Sequence, residues 1–325
     1  MALYTKLNDE TIRQLITQFD IGILQHSKIL HGGAENTNHY LKTNKGHYVL
    51  TICERKTIAE TTTLAKLLKH LEHHQFDTTK IIPNQKGALL SFHQDKPILF
   101  KSYIEGRVEE NIANDLLIKI GNSIAQLHLI PAPEYLPKKY SYGQQVFPQL
   151  TEQKIKHPFV EWLNTQHQNI LSKLHPDLPK ALIHGDVFDS NVVISANETP
   201  IIMDFEEACY YYRIYDLGMA IIGLCQVNGL INWAKAALLI QGYQSTSPLI
   251  PLERNYLKDF IVYAATATAF WRFRQFNILA PIEAYKHTYQ AMVNIAEQTK
   301  NTKIYFSLKN NPTPTCKNGT LTNRP

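Results

Sequence analysis

Two short segments of this 325-residue chain carry side chains whose types and spacing suit phosphoryl transfer. The first, His184-Gly185-Asp186-Val187-Phe188-Asp189-Ser190-Asn191, sets an aspartate and an asparagine either side of four residues; the second, Met203-Asp204-Phe205-Glu206, adds another aspartate. Each follows or closes a short apolar run, Leu182-Ile183 and Ile201-Ile202-Met203, so the polar side chains project from strand ends. Moving a phosphoryl group to a hydroxyl needs this division of labour. One carboxylate orients the hydroxyl and takes its proton, while an amide oxygen and a second carboxylate hold a magnesium ion against the phosphates. The plain alternative makes Asp186 and Asp204 turn formers and Asn191 a helix cap. Three coincident hits at this spacing outweigh it.

Elements that position these residues can be read from the patterning. Asn8-Asp9 suits a helix start, followed by Ile12, Leu15, Ile16 and Phe19 at helical spacing. Strand-like runs surround residues 27–30, 39–43 and 48–52, with an Asn44-Lys45-Gly46 turn before the last. A helix over 58–74 sets Leu64, Leu67, Leu68 and Leu71 on one face, and short strands follow at 88–92 and 98–103. From Leu116 onward the pattern is largely helical, interrupted over 181–205 by the β-rich runs that bear the chemistry. The expected fold is therefore α+β and bilobal: a small β-rich lobe over 1–104, a larger helical lobe over 105–308, and a disordered Asn/Thr/Pro-rich tail over 309–325.

Composition narrows the class. With 44% hydrophobic and 19% charged residues, the chain has the apolar material for a sizeable core. A net charge of +5 falls short of a nucleic-acid footprint. Cys53, Cys209, Cys225 and Cys316 are too scattered for a zinc site or a disulfide framework. The longest apolar stretch, Leu217 to Cys225, cannot span a bilayer, which takes about 20 residues. No signal peptide is evident, and the expected location is cytoplasmic. His70, His73 and His74 read as a solvated helix face.

His-Gly-Asp, in place of the His-Arg-Asp of protein kinases, resembles the aminoglycoside phosphotransferase and choline kinase superfamily. Several stretches look like its homoserine-kinase branch: Tyr4 to Asn8, Gly33-Ala34-Glu35-Asn36-Thr37-Asn38, Tyr48-Val49-Leu50-Thr51, Gly121 to His128, His184 to Val192, and Tyr215-Asp216-Leu217. The resemblance reaches to about residue 295. It implies a protein-kinase-like fold with ATP between the lobes, Asp186 as catalytic base, and Asn191 and Asp204 as Mg2+ ligands. It also implies that the loop from Gly32 through Gly33 and Asn36 to Asn38 covers the phosphates, that the backbone of Lys101 to Tyr103 binds adenine, and that Asp216 anchors the catalytic loop. Judged alone, the Gly32–Asn38 segment is equally an ordinary hairpin turn.

Three departures bear on the site. The third-strand lysine of kinases at large falls at Thr51, as in the homoserine-kinase branch, which leaves the phosphate cation to Arg55 or Lys56, with Glu60 to orient it. Glu206-Glu207 stands where homoserine kinases commonly carry aromatics, an acidic pair suited to an ammonium; Glu206 is the preferred ligand and Glu207 is expected to face solvent. Asp189-Ser190 replaces an acid directly before the asparagine, with little expected consequence. A zwitterionic acceptor also needs a cation for its carboxylate, and the candidates are Arg213, Arg272 and Arg274. Arg274 lines up with an arginine of the branch, and Arg272, two residues away on the same helix, cannot share its face. The expected activity is ATP- and Mg2+-dependent phosphorylation of a small-molecule hydroxyl acceptor, foremost L-homoserine. Another amino alcohol is the first alternative, and a nucleotide-binding pseudokinase the second.

Overall fold

Asn8 starts the first helix, α1 (Asp9–Ile16), by accepting from the Thr11 N–H (2.8 Å), and Asp9 and Glu10 complement the positive end of the helix dipole. The computed structural model describes residues 5–30 and 36–302. Strands β1 (Leu24–Leu30), β2 (Asn36–Thr43), β3 (Gly46–Cys53), β4 (Ser91–His93) and β5 (Lys96–Ser102) form one antiparallel sheet in the order β1-β2-β3-β5-β4. Between β3 and β4 runs α2 (Ile58–His73), closed at its start by a capping box between Thr57 and Glu60. That accounts for Glu60: its carboxylate accepts from Thr57, and the Lys56 charge acts on it only as a lesser influence.

The period-two alternation of the strands decides what each face meets. Leu41, Leu50, Ile52, Ile98 and Phe100 pack on Ile12, Leu15 and Ile16 of α1. Cys53 and Leu99 point the other way, onto Leu64, Leu68 and Leu71 of α2. Pairing of Asn36 with Cys53, Asn38 with Thr51, Thr51 with Leu99 and Val49 with Lys101 puts these polar residues on that second face.

The remainder is helical: α3 (Asn114–Leu129), α4 (Pro148–Glu152), α5 (Pro158–Leu171), α6 (Arg213–Leu224), α7 (Trp233–Gln244), α8 (Pro251–Arg274) and α9 (Tyr289–Asn301). Small ribbons interrupt it. Strand β6 (Lys180–Ile183) pairs with β9 (Cys209–Tyr212), β7 (Val192–Ile194) with β8 (Pro200–Ile202), and β10 (Gln226–Val227) with β11 (Leu230–Ile231). Helix α8 runs into a π-helical turn over Gln275–Leu279.

The two lobes are not independent. Leu127, Leu182 and Phe205 of the helical part share one buried cluster with Leu64, Leu68 and Leu99 of the sheet part. The Phe205 ring lies 5.9 Å from that of Phe76 and 4.6 Å from the His184 imidazole, so the residue beside Asp204 is packed from both sides. Among the described residues, no helix is long and apolar enough to cross a membrane.

Within the helical lobe, α3 and α7 touch backbone to backbone. A β-carbon at Gly121 would collide with the Leu239 carbonyl, and one at Gly242 with that of Ile118. Backbone atoms cannot give way as a flexible side chain can. Gly242→Ala should therefore cost about 3 kcal/mol of stability in urea denaturation; an unchanged midpoint would show that the helices separate freely.

Candidate functional site

Strand β6 delivers the chain to His184 inside the protein, and a short polar turn follows. Gly185 has φ +85°, and a β-carbon there would press on the Glu207 carbonyl (2.9 Å), so backbone conformation and space both call for glycine. The His184 ring ties the turn together. Its Nδ1 accepts from the Asp186 N–H (3.1 Å) and its Nε2 lies 2.9 Å from the Met203 carbonyl, which assigns the proton of a neutral ring to Nε2. Asp216, wholly buried in the first turn of α6, accepts from the N–H groups of His184 (2.8 Å) and Gly185 (2.7 Å) and lies 3.1 Å from His128 Nε2. Desolvation pushes its pKa up, but hydrogen bonding and charge from His128 outweigh this and hold it below the ordinary value.

Asn191 closes the loop onto Asp186. Its Nδ2 donates to the Asp186 carbonyl (2.8 Å) and to Oδ2 of the carboxylate (3.0 Å), so the Asn191 amide oxygen is the atom left to bind something else. Asp204 sits at the end of β8 with φ +69° and ψ +67°, a left-handed conformation uncommon for a residue with a side chain. Met203 N–H donates to the Asn191 carbonyl (2.9 Å), which joins the two motif segments.

These groups line a cleft of about 320 Å³, at the lower end of the range for small-molecule sites. Asp186, Asp204, Glu206 and Glu207 give it four carboxylates, and Lys101 and Arg272 are its basic residues. Burial, then the charges of Asp204 and Glu207, push the Asp186 carboxyl up to about 7, against the Asn191 hydrogen bond and the Arg272 charge. Among the described residues, no cluster of three or more His, Cys, Asp or Glu side chains is built to cage a metal. Magnesium does not require one: a carboxylate and an amide oxygen suffice where phosphate and water complete the shell. Asn191 and Asp204 fit that donor set, and a cation would relieve the crowded negative charge.

The other residues singled out in the sequence divide clearly. Asn36 lines the cleft and its amide donates to Glu206, whose carboxylate also lies 3.6 Å from Lys56 Nζ. Glu206 thus serves the sheet side. Glu207, expected in solvent, instead lines the cleft near Asp186 and Tyr140, with Oε2 shut off from water. Arg55 does not line the cleft; it donates to the Gln275 side chain (3.1 Å). Tyr103 commits its N–H to the His47 carbonyl (3.1 Å), and Ser102 its N–H to Lys80 (2.8 Å), so these donors belong to the sheet and not to a ligand. Lys101 does line the cleft, with its side chain. Gly32 and Gly33 lie outside the described residues, as does the 309–325 tail.

The arginines are reordered. Arg213 grips buried Glu253 with two 2.6 Å hydrogen bonds and donates to Ser247 (2.9 Å), a structural pair away from the cleft. Arg274 does not line the cleft either. Thr268, Trp271 and Arg272 do, because spacings of three and four residues share a helix face while Arg274 falls on the far side. That periodicity was readable from the sequence and outranks the alignment that favoured Arg274. Arg272 is largely buried, and desolvation lowers its pKa while the Asp186 charge raises it; Nη1 donates to the Thr288 carbonyl (3.2 Å). Tyr140, Tyr142 and Phe188 complete this side of the cleft.

A model of the phosphotransferase enzyme family (APH) matches residues 26–249. A homoserine kinase of Parvibaculum lavamentivorans is 29% identical over 265 residues, which cover 79% of this chain and 83% of that protein. Among solved structures, an amicoumacin kinase in complex with AMP-PNP and Ca2+ superposes with a TM-score of 0.72 at 13% identity, covering 92% of this chain and 96% of its own. A microcompartment-associated aminopropanol kinase does so with a TM-score of 0.69 at 14% identity, covering 90% and 97%. The fold is kinase-like.

Two measurements check the site's energetics. Asp216→Ala leaves two buried N–H groups without their acceptor and should cost about 3–5 kcal/mol, read by urea denaturation; a loss below about 1 kcal/mol would show that the loop holds without it. Asp186 behaves oppositely. Its folded pKa of about 7 lies above the ordinary 3.8, so its contribution to stability is fully present below about pH 4 and is lost as pH rises through 7. Without nucleotide or metal, Asp186→Asn should therefore stabilise the protein at pH 8, by at most about 4 kcal/mol, and the advantage should vanish toward pH 4. Equal melting of the two proteins across that range would contradict the charge crowding.

Proposed function

Since the chain belongs to the phosphotransferase enzyme family, we propose that it uses ATP and Mg2+ to phosphorylate the side-chain hydroxyl of L-homoserine. Asp186 orients the acceptor hydroxyl and takes its proton as the new oxygen–phosphorus bond forms and the bond to the leaving ADP breaks. Asn191 Oδ1 and the Asp204 carboxylate hold Mg2+, which supplies charge neutralisation on the phosphates when bound. Residues 1–104 serve the nucleotide and residues 105–308 the acceptor. Arg272 takes the acceptor carboxylate, and Glu207, with the aromatic wall of Tyr140, Tyr142 and Trp271, takes the ammonium.

Arg272 carries this reading. Arg272 is largely buried and feels the Asp186 charge but forms no salt bridge among the described residues, so it is costly until an anion meets it, and of the acceptors this family could use, homoserine brings a carboxylate. The relatives named homoserine kinase support the same choice. Four cleft carboxylates favour a second reading, a cationic alcohol without a carboxylate such as choline or ethanolamine. Arg272 discriminates between them, because it would repel such an acceptor.

ADP release from ATP-Mg2+ across homoserine, choline, ethanolamine, kanamycin and no acceptor tests the proposal. Homoserine should give the highest turnover. Asp186→Asn should lower kcat by roughly a thousandfold, and Arg272→Met should raise KM for homoserine by roughly 30- to 100-fold. Turnover with choline or ethanolamine and none with homoserine would overturn the assignment.

A further inference from the structure

Thr51 leaves the sheet without a charge where kinases at large carry a lysine. Its side chain is buried and neutral, its hydroxyl donating to Asn38 Oδ1 (2.7 Å). Both cations that follow it in sequence are committed elsewhere: Arg55 reaches Gln275, and Lys56 lies against Glu206. Of the two basic residues that line the cleft, Arg272 stands on α8, on the side of Tyr142 and Trp271.

The other is Lys101, and the strand register explains its direction. Val49 pairs with Lys101 and Thr51 with Leu99, so Lys101 lies two residues along the ladder from Thr51, on the neighbouring strand. Directly paired residues share a face, and alternation along β5 sends Ile98 and Phe100 to the α1 core and Leu99 to the α2 core. Lys101 follows Leu99, onto the face that carries Asn36, Asn38 and Thr51, and lines the cleft together with Asp204. It is half-buried, and among the described residues no salt bridge or hydrogen bond engages its ammonium. The charge is local: Glu206, Lys101 and Lys56 all act on the Cys53 thiol, which sits on the same face.

We propose that the Lys101 side chain is the phosphate-binding cation of this enzyme, taking from β5 the place that Thr51 leaves vacant on β3. A half-buried ammonium with no partner among the described residues is available to meet an anion, and a nucleotide's phosphates supply one. The contribution of Lys101 to the nucleotide site is therefore made by its side chain and not by its backbone, whose neighbours are bonded within the sheet. The proposal rests on the nucleotide half of the function above and is independent of the acceptor.

The test compares binding of adenosine, AMP, ADP and ATP, each with Mg2+, to the wild type, Lys101→Met and Lys101→Arg by titration calorimetry, with no acceptor present. Lys101→Met should weaken ATP and ADP by roughly 10- to 100-fold, leave adenosine within about threefold, and flatten the salt dependence of ATP binding. Lys101→Arg should recover most of the loss. Lys101→Gln runs in parallel should the methionine variant melt below the wild type. An equal loss for adenosine and ATP would overturn the proposal in favour of a contact with the base or a packing role, and undiminished ATP binding would overturn it outright. A wild type that binds none of the four would remove the nucleotide reading and this proposal together, whereas a wild type that binds ATP no better than Lys101→Met removes the proposal alone.

Discussion

The buried carboxylate of Asp216 is the constraint on which the site depends. It accepts the N–H groups of His184 and Gly185 and meets His128 of α3, whose other ring nitrogen lies 2.9 Å from the Tyr243 hydroxyl on α7. One anion thus links α6, α3 and α7 to the turn that presents Asp186. The same two helices, α3 and α7, pack at backbone distance through Gly121 and Gly242. Any relaxation of that helix pair moves His128, and with it the loop. Buried ionic groups of this sort contribute little net stability relative to apolar packing, but once present they tolerate no missing partner.

Asp186 illustrates the opposite use of burial. Asp216 is surrounded by donors, whereas Asp186 is buried beside Asp204 and Glu207, and its carboxyl resists ionisation. The fold sustains this because Phe205, between the two acids and packed on Phe76 and His184, belongs to the core that joins the lobes. Apolar contacts of one residue hold its charged neighbours in a position they would not choose. The stress is local, and a cation placed among the acids relieves it.

The chemistry-bearing residues differed in how far the sequence revealed them, and the difference follows the range of the information. Asp186, Asn191 and Asp204 come together through bonds within a turn and between adjacent ribbons, so their spacing carried the message. The roles of side chains that reach across the fold did not. Arg213 is one of three candidates for an acceptor carboxylate, yet Glu253, 40 residues later, claims it in a buried pair. Glu206 and Glu207 are neighbours whose backbone turn sends one toward Asn36 and Lys56 and the other toward Tyr140, a divergence that no composition records. Arg272 is the exception: Thr268, Trp271 and Arg272 have the spacing of one helix face, a periodicity that the sequence itself displays. The architecture was legible throughout, since period-two strands and a period of 3.6 residues beyond Leu116 leave few other ways to bury the apolar surface.

The distribution of charge along the cleft ties these elements to one another. Four acids line it together with two basic residues that come from different elements, Lys101 from a strand of the sheet and Arg272 from helix α8. A ligand pair with both anionic and cationic groups is complementary to that set: phosphates against Lys101, metal and ammonium against the acids, a carboxylate against Arg272. A cationic alcohol would satisfy the acids and leave Arg272 facing like charge, so it would have to displace or neutralise a buried guanidinium before it could bind. Specificity in such a site comes as much from the partner that is left unpaired as from the one that is matched. The same logic underlies the proposed transfer of the phosphate cation from β3 to β5. What the phosphates require is a positive charge on that sheet face, and in an antiparallel ladder the neighbouring strand can present it as readily as the original one.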